Sequence, residues 1–186
     1  MVRKEIKSTP APRPIRRDPG VMLTHTTCRI QGEQSGRVDA VFARTAEATV
    51  TVTWGGIALR FLSAAAASVV LEGFGAARAL LMGIDNAAAD QGPADGNVAV
   101  ATIALTWSWP TPYAVVKRSA YSRHHRRAVH WVDLHMGPVT FQIMDHTGYN
   151  SALAILRDAH RTAVATCLDG GKWRADPTRD DYQRPQ

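Results

Sequence analysis

Hydrophobic and polar positions repeat one pattern twice along this chain. Across residues 48–54, Val50, Val52 and Trp54 fall on one side of an alternation and Thr49, Thr51 and Thr53 on the other. A period of two sends successive side chains to opposite faces, so the segment predicts a half-buried strand. Gly55-Gly56 predicts a tight turn, after which Ile57, Leu59 and Phe61 resume the apolar face. Ser63 is a suitable N-cap, and Val69, Val70, Phe74, Ala77, Leu80 and Leu81 then recur at helical spacing. The same order returns later. Residues 128–134 alternate, 135–138 turn, and Val139, Phe141 and Ile143 alternate again. A second helix is expected from Thr147 to about Cys167, with Leu153, Leu156, Ala159, Val164 and Cys167 on its apolar side.

Each block is preceded by two further strand-like runs. Residues 24–31 and 37–45 flank a loop at 32–36. Residues 98–109 end at Pro110 and Pro112, and residues 113–121 lead into a hairpin loop at 122–127. The expected fold class is therefore α+β. It consists of two ββββα repeats, each an antiparallel four-stranded sheet followed by a helix, in one pseudo-two-fold domain. Each helix can cover its own sheet or that of the other half. Gly73 and Gly75 each cost the first helix about 1 kcal/mol relative to Ala, which close approach of another backbone would explain.

Length and composition fit this organisation. A chain of 186 residues, 45% apolar, holds one domain or two small halves sharing a core. The globular part is expected over 21–168, as halves 21–82 and 98–168 joined by a linker at 83–97. Residues 1–20, with Pro10, Pro12, Pro14 and Pro19 among basic residues, read as a flexible basic arm. Residues 169–186 read as a polar, idle tail in which only Trp173 and Tyr182 offer large rings. The longest apolar stretch, around 63–70, is too short and too polar to span a membrane. The basic N-terminus is not followed by an apolar signal core, so the expected location is cytoplasmic. Cys28 and Cys167 read as free thiols, and there is no Cys-x-x-Cys.

The net charge of +6 is unevenly distributed. The linker carries Asp85, Asp90 and Asp95 and no base. Between residues 117 and 127 lie Lys117, Arg118, Arg123, Arg126 and Arg127, with His124 and His125 between them and no acid. Arginine far outnumbers lysine, which points to a GC-rich, bacterial genome. Tyr113, Lys117 and Tyr121 share one face of their strand, and Trp131 shares a face with His135 on the next. Such interleaving of rings and cations suits single-stranded nucleic acid, because bases stack on rings and phosphates meet guanidinium groups. The candidate binding residues are Lys117, Arg118, Arg123, Arg126, Arg127, Tyr113, Tyr121 and Trp131. A basic hairpin can also enter a duplex groove. Trp54 reads as core; Trp107 and Trp109 share a face with Ile103 and Leu105 and are open to the same reading.

Two ββββα units with a basic, aromatic sheet surface resemble the Whirly and PUR-type single-stranded nucleic-acid-binding proteins. The resemblance is architectural and covers about residues 21–168. The Lys-Gly-Lys-Ala-Ala-Leu motif of plant Whirly proteins is absent, the strand-to-helix region reading Arg60-Phe61-Leu62-Ser63-Ala64-Ala65, so no functional residue is carried over. The resemblance implies binding of bases on sheet surfaces and edges, and homo-oligomers formed through helices, with Gly73 and Gly75 marking a helix contact.

Catalytic signatures are weak. Gly73-x-Gly75 falls inside a helix and lacks the third small residue of a dinucleotide fingerprint. There is no Walker loop, no Gly-x-Ser-x-Gly elbow and no paired carboxylates; Asp39, Glu47 and Glu72 are scattered. Asp133 and His135, with Asp145 or His146, form the one constellation that merits a metal test. No cofactor, catalytic residue or resident metal is expected. The leading expectation is a non-enzymatic protein that binds single-stranded nucleic acid, DNA ahead of RNA. The alternative is a protein-interaction or assembly module without nucleic-acid affinity. A small-ligand domain built around a cavity between the sheets is a third reading.

Overall fold

The structure, a computed structural model, describes residues 24–87, 102–123 and 126–185. The expected basic arm, residues 88–97 of the acidic linker, and His124 and His125 lie outside the described residues. Strands β1 (Thr26–Ile30), β2 (Gly36–Val41), β3 (Thr49–Trp54) and β4 (Ile57–Phe61) precede helix α1 (Ala64–Ala77). Strands β5 (Ile103–Trp107), β6 (Tyr113–Ser122), β7 (Arg127–Met136) and β8 (Val139–Ile143) precede helix α2 (His146–Thr166). The element order is the one that the alternation predicts.

The pairing differs from expectation. Two four-stranded sheets form, but their orders are β1-β8-β7-β6 (sheet I) and β2-β3-β4-β5 (sheet II). Each sheet borrows its first strand from the opposite half of the chain. Those borrowed strands pair in parallel, Cys28 with Phe141 and Leu105 with Leu59, so both sheets are mixed rather than antiparallel. The physical reason is that alternation marks a strand's buried face and leaves its neighbour open, while backbone N–H and C=O groups pair equally with any strand in reach.

The inner faces carry Val50, Val52, Trp54, Leu59 and Phe61 from sheet II and Val132, Leu134, Met136, Phe141 and Ile143 from sheet I, all buried. The rings of Trp54 and Phe141 stack at 6.4 Å, and Phe74 of α1 meets Phe141 edge-on at 5.4 Å. One aromatic cluster thus joins both sheets to a helix. Each aromatic pair adds about 0.5–1.5 kcal/mol beyond simple burial. Trp107 is also core, stacked on Phe61 at 5.7 Å, whereas Trp109 is exposed.

The helices cross over: α1 follows β4 but packs on β6 and β7, and α2 follows β8 but packs on β2 and β3. They also pack on each other. Helix α1 is buried on nearly every side, so its single expected stripe understates it. Ser63 caps it as predicted, its side chain accepting from Ala66 N. A Cβ at Gly73 would lie 3.3 Å from Leu134, Met136 and Tyr113 of sheet I. One at Gly75 would meet the backbone of Pro177 and Thr178. These glycines therefore admit a sheet and a chain segment rather than another helix.

That segment follows α2 and packs against the domain. Asp169 accepts hydrogen bonds from Ala64 N and Ala65 N, both 2.9 Å, at the start of α1. Trp173 is buried, and its carbonyl lies 2.9 Å from His160 Nε2. Arg184 forks onto Glu72 at 2.8 and 3.0 Å. The segment read as idle is therefore a strap laid along α1. Cys28 and Cys167 are free and buried, and burial pushes both thiol pKa values up. Among the described residues no helix is long and apolar enough to cross a membrane.

Candidate functional site

Strands β6 and β7 pair over ten residues each, but β7 pairs with β8 only from Val132 to Met136. The pairs from Arg118–Trp131 to Ser122–Arg127 therefore run past the end of β8 as a two-stranded ribbon. Five pairs at about 3.4 Å per residue make it roughly 17 Å long. Six of the eight candidate binding residues lie on this ribbon or its turn.

Register sorts these residues by face. Tyr113 pairs with Met136 and Lys117 with Val132, so both share the face of the core residues Val132, Leu134 and Met136. Tyr113 Oη donates to Glu72 Oε1 at 3.1 Å, and burial, aided by the Glu72 charge, raises its pKa. Lys117 Nζ donates to the Met82 carbonyl. These two residues tie sheet I to α1 and the turn after it, which removes them from the proposed surface. Arg118 pairs with Trp131 on the opposite, outward face. The eight candidates therefore do not share one surface: Tyr113 and Lys117 lie on the face opposite Arg118 and Trp131, because neighbours in sequence alternate sides and only register shows which side is covered.

The outward face has its own framework. Asp133, nearly buried, accepts from Trp131 Nε1 at 2.9 Å and from Arg118 Nε at 3.3 Å. One carboxylate thus fixes both an indole plane and a guanidinium. Beside them Arg29, Ala120, Tyr121, Ser122, Val129, Gln142 and Met144 complete the lining of a hollow of about 240 Å³. Drug-sized ligands occupy cavities of about 300–1,000 Å³, so this hollow suits a single planar ring system. Tyr121, paired with Ala128, belongs by register to the Lys117 face and meets this hollow only at its rim, 68% exposed. Arg29 and Gln142 face each other across the parallel β1–β8 pairing. Sequence reasoning missed both, because the strand bearing Arg29 belongs to the first half and no local signal assigns it to the second half's sheet.

At the ribbon's turn, Arg123 and Arg126 are exposed. Neither has an ion-pair partner among the described residues. Arg126 holds φ = 51°, in the left-handed region. Arg127 is engaged: its guanidinium forks onto Asp85 at 2.5 and 3.1 Å. The Asp85 and Asn86 carbonyls in turn accept from His146 N and Thr147 N at the start of α2. The acidic linker thus begins by pinning the ribbon's tip to the domain. Half-exposed pairs of this kind contribute about 0–1 kcal/mol, so a phosphate can compete for Arg127.

The constellation marked for a metal test is not assembled. Asp145 is wholly buried as the N-cap of α2, accepting from Gly148 N at 2.6 Å and Gly32 N at 2.8 Å. Asp133 is committed to Trp131 and Arg118, and His135 Nδ1 lies 2.8 Å from Thr140 Oγ1. Among the described residues no three His, Cys, Asp or Glu side chains converge as a metal site. Compared with family models, with curated proteins and with solved structures, the chain matches none.

Proposed function

We propose that this chain binds single-stranded nucleic acid, DNA ahead of RNA, without catalysing a reaction. The observation that carries the reading is the hollow beneath the β6–β7 ribbon. There an indole locked by Asp133 lies beside Tyr121 and Arg29, with Arg123 and Arg126 at the adjoining turn. An unstacked base has a ring to lie on, and the flanking phosphates meet guanidinium groups. Pre-orientation of the indole reduces the ordering cost of binding. The overall charge of +6 favours a polyanionic partner.

The architecture supports the likeness to Whirly and PUR-type proteins in one respect. Exchanging each strand for its counterpart in the other half (β1 with β5, β2 with β6, β3 with β7, β4 with β8) converts the order β1-β8-β7-β6 into β5-β4-β3-β2, the second sheet read from its other edge. We read this as two interlocked ββββα units with exchanged first strands and a pseudo-two-fold relation. Fold likeness alone does not decide activity, so the reading rests on the ribbon and its hollow.

A second reading has its own observation. A projecting two-stranded ribbon matches the width of a duplex major groove. Fluorescence anisotropy with single-stranded and duplex oligonucleotides, at low and high salt, separates the two. The proposal expects single strands to bind more tightly, with tryptophan quenching and affinity that falls with salt. Trp131→Ala should weaken single-strand binding by the worth of one stacked base, about 1–3 kcal/mol or some five- to 150-fold. Trp131→Phe should retain most of it. Duplex preference with an unaffected Trp131→Ala would favour groove entry; no binding at low salt would overturn both readings.

A further inference from the structure

We propose that two copies of this chain associate by antiparallel pairing of β2 with β2 about a two-fold axis at Val38, joining two copies of sheet II into one eight-stranded sheet. Strand β2 is the edge of sheet II, with β3 on one side and α2 packed beneath it. Its residues are exposed or half-buried throughout. A strand edge of this kind offers backbone N–H and C=O groups to a further strand.

The charges on β2 select both the partner and the register. Arg37 and Asp39 share the outward face, paired with Thr53 and Thr51 of β3. They contact each other at 2.8 Å while remaining 79% and 44% exposed, so both can reach a partner. In an antiparallel pair with continuous faces, the two-fold axis must fall on a residue. Centred on Val38, it sets Arg37 of each copy opposite Asp39 of the other, making two opposite-charge pairs. Centred on Arg37 it opposes arginine to arginine, and on Asp39 aspartate to aspartate. A one-residue slip would turn the buried face outward. The Val38 register therefore combines charge attraction with face continuity. It also brings together the two Val38 side chains, which already pack on the core.

The other edges lack this self-complementarity. Strand β6 carries Lys117 and Arg118 and no acid, β1 carries Arg29 alone, and β5 carries no charge. A six-residue edge makes a small contact, in the class below about 1,200 Å² that gives transient association.

Sedimentation velocity of the full chain from about 1 µM to about 1 mM tests the proposal. The wild type should shift reversibly from monomer to dimer. Arg37→Asp and Asp39→Arg alone each place two like-charge pairs across the axis and should weaken the dimer about ten- to thirtyfold. The double reversal Arg37→Asp/Asp39→Arg restores both pairs and should recover wild-type dimerisation. Unchanged far-UV circular dichroism would show all three variants folded. A wild type that stays monomeric, single variants that dimerise normally, or a double variant that fails to recover would each overturn the proposal.

Discussion

Asp169 is expected to contribute measurably to the stability of the domain. Its two carboxylate oxygens each accept one backbone N–H, from Ala64 and Ala65, at 2.9 Å. Ser63 serves Ala66 N, so three unpaired amides at the start of α1 are satisfied by two side chains. Ala64 is fully buried and Ala65 is 9% exposed, so water cannot readily replace the lost acceptors. In Asp169→Ala both donors are stranded, each at about 1–3 kcal/mol, and the favourable charge at the helix N-terminus disappears. Relaxation of the strap offsets part of this, leaving an expected loss of about 3 kcal/mol. For a domain of this size that lowers Tm by about 6–12 °C. Asp169→Asn keeps one acceptor but turns an NH₂ group toward the second amide. Its loss should fall between those of wild type and Asp169→Ala. Urea denaturation gives the free energies, and amide hydrogen exchange should show lost protection at Ala64 and Ala65 first. A loss below about 0.5 kcal/mol in Asp169→Ala, the size of an ordinary surface substitution, would refute the reasoning.

Two other expectations concern charge. If the ribbon's turn meets phosphates, Arg123→Ala/Arg126→Ala removes two contacts and should reduce the log–log salt slope of single-strand binding by about 1.4. An unchanged slope would place the phosphates elsewhere. His160 is buried, and burial lowers its pKa despite the opposing hydrogen bond to the Trp173 carbonyl. That carbonyl can only accept, so Nε2 carries the proton of a neutral ring. The unfolded chain therefore binds a proton more readily. Stability from this site is complete above the ordinary histidine pKa of 6.5 and declines as pH falls below it. Urea midpoints measured from pH 7.5 to pH 5 should show this decline in the wild type and less of it in His160→Gln. Equal slopes in the two proteins would locate the titration at another group.

The sequence by itself determined the elements and their punctuation. The Thr–Val alternation of β3, the Gly55-Gly56 turn and the Ser63 cap are local, since each depends on neighbours within a few residues. Side-chain period and hydrogen-bond chemistry suffice to read such features. The sequence also located the cationic hairpin, because clustered charge is visible without coordinates. Only the tertiary structure decided which strands adjoin, which half each helix covers, and which cations remain available. Lys117 and Arg118 are consecutive, yet one is tied to the Met82 carbonyl on the inner side and the other lies outward beside Trp131. Arg127 is held by Asp85, and Arg29 reaches the hollow through the parallel β1–β8 pairing. The reason is physical. Strand pairing uses backbone groups common to nearly every residue, so neighbours are chosen by the packing of the whole core, and a short window of sequence does not contain it.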